Sequence, residues 1–132
     1  MTIRYATAVK NARMVATAAK IDAGSGNAKL IVYTGTVPAS NGAVTYQEKL
    51  AEFTLQKPAT SISFGVMTAL IDGRATVIKD GRIGWVRLVD GDGVAVADYD
   101  VGLSGSGADL ILATLDVNKD SALEASSAVL ES

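Results

Sequence analysis

The sequence predicts a mainly β domain, an antiparallel β-sandwich or small barrel, preceded by one amino-terminal α-helix or arm. Three observations carry that reading. Short β-branched or alternating segments recur along most of the chain, Asp-Gly pairs punctuate them, and only the opening is Ala-rich and free of Gly and Pro. The chain's 132 residues suit one such domain. A chain of this length buries roughly two-thirds of its unfolded surface, which is enough without a metal or crosslink.

The helix is expected from about Tyr5 to Asp22, where Ala, Lys, Arg and Met are good helix formers. Val9, Ala12, Ala16 and Ala19 recur at helical spacing with Val15 beside them, which marks a thin apolar face that packs on something flat, a sheet or a neighbouring subunit. Gly24, Ser25 and Gly26 end it, Gly being common just past a helical C-terminus. Residues 1–23 therefore read as a helical arm and residues 24–132 as the β body.

In the body, Leu30–Tyr33 is a compact β-branched run and residues 36–42 are a loop. Residues 47–56 alternate, with Ala51, Phe53 and Leu55 on one face, and Pro58 is expected to end that strand. Residues 61–71 form a further apolar stretch interrupted by Gly65. Asp72-Gly73, Asp80-Gly81 and the Asp90–Gly93 run separate residues 75–79, 82–89 and 94–101, which predicts a three-stranded meander with tight turns. Residues 108–112 read as a strand, and residues 122–130 as a strand or a short helix. The expected core is Leu30, Val32, Phe53, Leu55, Ile62, Phe64, Val77, Trp85, Val96 and Leu110.

Composition narrows the chemistry. The sequence has no Cys and no His, which removes disulfides, thiolate nucleophiles, Cys or His zinc sites and the usual general base near neutral pH. Asp116-Val-Asn118-Lys-Asp120 has the spacing of a calcium loop, but Ser121 stands where Gly is needed and Ser127 where a bidentate Glu is needed. A polar turn fits it better. Asp90 and Asp92 read as a solvated hairpin rim. The Gly24–Gly26 and Gly102–Gly107 segments lack the GK[ST] of a phosphate loop. Trp85 reads as core ahead of a sugar-stacking platform. The expectation is thus a protein without catalytic, cofactor-binding or metal-binding residues, and not an enzyme.

Charge is unevenly placed. Arg4, Lys10, Arg13, Lys20 and Lys29 face only Asp22 in the first 29 residues, whereas acidic groups dominate the remainder. A basic opening on an acidic body predicts contact with something acidic, another copy of the chain included. The acidic body and scattered tyrosines argue against nucleic acid. No apolar run is long enough for a membrane helix, and the opening lacks the apolar block of a secretory signal.

Several segments together resemble a group of small proteins encoded among the virion genes of tailed bacteriophages. They are Met1–Ala8, Asn11-Ala-Arg13-Met, Ile21-Asp-Ala-Gly24 and Leu30-Ile-Val-Tyr33-Thr-Gly35-Thr-Val-Pro38. Trp85-Val-Arg-Leu-Val-Asp90-Gly91, Asp100-Val-Gly102 and Gly107-Ala-Asp109-Leu continue the likeness. The resemblance implies a particle component, such as a capsid decoration, neck or tail accessory protein, made in the host cytoplasm and resident in the virion. Such parts act through assembly, so a homo-oligomer (a trimer or larger ring) and other virion proteins are the expected partners. The expected assembly interface is Arg4, Tyr5, Val9, Lys10, Ala12, Arg13 and Ala16. The alternative is a tail-tip or fibre module that binds host surface glycans through residues 40–45 or 91–93.

Overall fold

The Ala-rich opening forms α1, Thr7–Ile21, in the computed structural model, which describes residues 6–131. Its buried side chains are Met14 and Ile21, with Ala18 half-buried between them. Their spacing makes one helical stripe. Of the two partners expected for the Ala-rich face, the sheet is not one: Val9 is 45% and Val15 59% exposed, and Ala12, Ala16 and Ala19 are exposed too. Long side chains decided the orientation, because burial gains about 25 cal/mol per Å² of apolar surface and a row of alanines offers little of it.

In chain order the strands are β1 (Lys29–Tyr33), β2 (Lys49–Ser63), β3 (Val66–Ile71), β4 (Ala75–Thr76), β5 (Gly81–Arg82), β6 (Trp85–Val89), β7 (Ala95–Gly102), β8 (Leu110–Leu112), β9 (Asp116–Val117), β10 (Ala122–Leu123) and β11 (Ala125–Glu131). Seven of them close into a barrel in the order β1-β2-β3-β11-β8-β7-β6. Its neighbours are antiparallel except β7 and β8, which run parallel. The architecture is a closed barrel, not two packed sheets. Period-two alternation sends Leu30, Val32, Phe53, Leu55, Val86 and Leu88 into one shared core, to which α1 adds Met14 and Ile21.

Four expectations are corrected. Pro58 does not end β2. The β2–β3 register shifts between Leu55 and Thr60, and Pro58 sits in that irregular stretch, where its missing N–H costs no ladder bond. Asp22 Oδ1 accepts the Ala59 N–H there at 2.9 Å, which ties the end of α1 to β2.

Residues 61–71 are not one run but a hairpin turned at Phe64-Gly65. Phe64, expected in the core, is 92% exposed. The meander is only partly present: β6 pairs with β7 across the Asp90 turn, but its other neighbour is β1, while β4 pairs with β10 and β5 with β9. Of the strand or short helix expected over residues 122–130, the strand forms, as β10 and β11. Of the remaining expected core, Ile62 and Val96 are half-buried, and Trp85 is buried outside the central cluster.

Candidate assembly surfaces

Every residue of β6 is buried, because both of its faces are covered. Val86 and Leu88 face the core, so Trp85 and Arg87 face outward and need a second cover. The segment joining β1 to β2 provides it. Trp85 stacks on Tyr33 with ring centroids 4.7 Å apart, and its Nε1–H donates to the Thr34 carbonyl at 3.1 Å. The Arg87 guanidinium lies 5.2 Å from the Trp85 ring centre. Arg87 donates to both carboxylate oxygens of Asp98, Nε–H at 2.7 Å and Nη2–H at 3.0 Å, and also to the Gly42 carbonyl at 2.7 Å. Gln47, buried in the same segment, accepts the Thr45 N–H and donates to the Thr36 carbonyl.

Trp85 is only 2% exposed, so its ring face is not open for sugar stacking. Within residues 40–45, Gly42 is engaged with Arg87. The residues at Gly91 back onto the chain as well: a Cβ on Gly91 would overlap the Gly26 carbonyl oxygen, and a Cβ on Gly84 would overlap that of Gly35. These two glycine contacts bracket the β1–β6 ladder at its ends.

Beside this cover lies a cleft of about 400 Å³, lined among others by Val37, Trp85, Tyr99 and Asp100. At its acidic side the Asp109 N–H donates to Asp100 Oδ1 at 2.9 Å. That bond holds the Asp100 carboxyl below its ordinary pKa, whereas burial and the neighbouring Asp100 raise that of Asp109. Burial, then the carboxylates of Asp109, Glu131 and Asp98, push the Tyr99 hydroxyl up to about 12. Hydrogen bonding to Thr36 instead lowers Tyr46. A spectroscopic titration should therefore show Tyr46 ionising well before Tyr99. The stability contributed by Tyr99 is present in full below its unfolded value near 10 and is lost as pH rises through about 12. Tyr46 and Tyr99 ionising together would overturn this.

The calcium-like spacing does not gather its carboxylates. Both oxygens of Asp116 accept from Arg82, at 3.0 and 2.9 Å, and no group of three or more potential metal ligands occurs among the described residues. Arg74, directly after the Asp72-Gly73 pair, pairs with Glu124 at 2.8 Å. Of the expected assembly residues, Arg4 and Tyr5 lie outside the described residues. Val9, Ala12, Arg13 and Ala16 are exposed on α1, and Lys10 is half-buried beside Gly65.

Sequence reasoning missed Phe64. The Gly65 N–H donates to Asn11 Oδ1 at 3.0 Å, which fixes the hairpin tip against α1. The signal was available: a two-residue turn with positive φ at both centres normally reads Asn-Gly, and here it reads Phe-Gly.

Comparison with protein-family models, curated proteins and solved structures gave no match. Among the described residues no helix is long and apolar enough to cross a membrane.

Proposed function

We propose that this chain is a structural component of a tailed-phage particle, at the head surface, neck or tail, and that it works by assembling with copies of itself and with other particle proteins. The observation that carries the reading is the bare face of α1. The helix packs through Met14 and Ile21 and leaves Val9 and Val15, framed by exposed alanines, facing solvent. An apolar stripe of this kind on a basic segment fits a partner surface that is both flat and acidic. The residues that carry the resemblance also meet in space, since Tyr33 stacks on Trp85 and Asp100 bonds Asp109.

Truncating α1 is a poor test, because Met14 and Ile21 belong to the barrel core. Surface substitution is a clean one. Light scattering should show a multimer of the 13.6 kDa chain that loosens at high salt, and Val15→Asp should lower its mass without moving the melting temperature by more than a degree or two. A monomer at every salt concentration would overturn self-assembly. The particle assignment is tested separately: antiserum against the chain should label tailed particles from its source, and unlabelled particles would overturn it.

A further inference from the structure

We infer that copies of this chain join head to tail, with Phe64 of one copy seated in the cleft between Val37 and Asp100 of the next. The inference rests on the assembly reading above and names the surfaces that would carry it.

Phe64 has two costs at once. Its side chain is 92% exposed, and its φ is +51°, a left-handed conformation that bulky residues rarely adopt. Asn would relieve both, since it tolerates positive φ and is polar. Folding alone therefore does not account for a Phe here. A contact outside the chain does, because an exposed aromatic is the usual anchor of an interface.

The cleft has the complementary character. Its volume of about 400 Å³ exceeds what a phenyl ring needs, and Val37 and the half-buried Tyr99 give it apolar walls. Asp100 stands at its edge, exposed and with no cation paired to it among the described residues. Lys10 lies against the Gly65 turn beside Phe64 and likewise forms no ion pair among the described residues. An aromatic knob with a lysine beside it thus matches an apolar cleft with an aspartate beside it.

Barrel order sets the geometry of the contact. Between the β2–β3 hairpin and the β6–β7 wall lie β1 in one direction and β11 and β8 in the other. Knob and cleft are on opposite sides of the barrel, so one copy cannot satisfy its own pair and two copies cannot satisfy both pairs face to face. Such a heterologous contact propagates and closes into a ring when the rotation allows.

The test uses two variants of the full chain followed by sedimentation velocity at low salt. Phe64→Asn removes the knob and should melt at or above the parent temperature, so loss of assembly is not loss of folding. Val37→Arg fills the cleft from a position that is 45% exposed. Each variant alone should associate at least tenfold more weakly than the parent. Mixed in equal amounts, they should associate more strongly than either variant alone, because one intact knob meets one intact cleft. Assembly of Phe64→Asn at parental strength, or a mixture no stronger than the separate variants, overturns the head-to-tail contact; in the first case self-assembly through α1 stands. A parent chain that is monomeric throughout overturns both.

Discussion

Replacing Arg87 with methionine is expected to destabilise the protein by about 3–5 kcal/mol, the usual cost of orphaning a buried charge. In a domain of this length that corresponds to a fall in melting temperature on the order of 10–20 °C, read by circular dichroism. The side chains of Arg87 and Asp98 are only 8% and 9% exposed, and three hydrogen bonds converge on the guanidinium. Methionine keeps the stem volume but leaves the Asp98 carboxylate and the Gly42 carbonyl without their donor. Replacing both members of the pair with apolar residues should cost clearly less than the two single losses added together, since the second removal discards an already unpaired charge. A single-variant loss below about 1 kcal/mol, the scale of an exposed pair, would mean that water reaches the site.

Gly84→Ala should be of comparable severity, about 3 kcal/mol or more, although it adds one methyl group. Overpacking alone costs about 1–3 kcal/mol. Here the added Cβ meets a backbone oxygen, that of Gly35, which has no rotamer to change. The Gly84 N–H also donates to the Tyr33 carbonyl at 2.8 Å, so yielding at this point pulls on the end of the β1–β6 ladder. The indole bond to Thr34 lies in the same neighbourhood and should loosen with it. Trp85 fluorescence should therefore shift toward the red in the folded variant. A melting temperature within about two degrees of the parent would show that the two chain segments separate without cost.

The parts of the fold that rest on local pattern were legible. Alternation placed Phe53 and Leu55 inside β2, and the Asp90 turn was readable because a carboxylate that accepts the N–H groups of Asp92 and Val94 is a local device. What failed depended on partners distant in sequence. Asp80-Gly81 has the letters of a hairpin turn, yet Asp80 accepts the Lys119 N–H and Gly81 pairs with Val117. The side of α1 that meets the barrel was not singled out, because spacing counts alanine and methionine alike, whereas burial weighs them by area. The outer cover was invisible for a similar reason. Arg87 in an otherwise apolar strand reads as a solvated residue until the segment after β1 is known to fold over it. Phe64 was assigned to the core because hydrophobicity outweighed its position beside Gly in a turn.

The placement of β11 bears on how the molecule is made. That strand follows all the other described strands in sequence, yet it lies between β3 and β8 and supplies the ladder partner of both. A polypeptide leaving the ribosome can form the β2–β3 and β6–β7 hairpins as it emerges, because those contacts are close in sequence. The barrel nevertheless stays open, with two strand edges lacking partners, until residues 125–131 arrive. Open edges of this kind template pairing with other chains. Biogenesis therefore passes through a vulnerable interval that ends only when β11 is inserted. A chain halted shortly before residue 125 should collect in aggregates, while one carried through residue 131 should close.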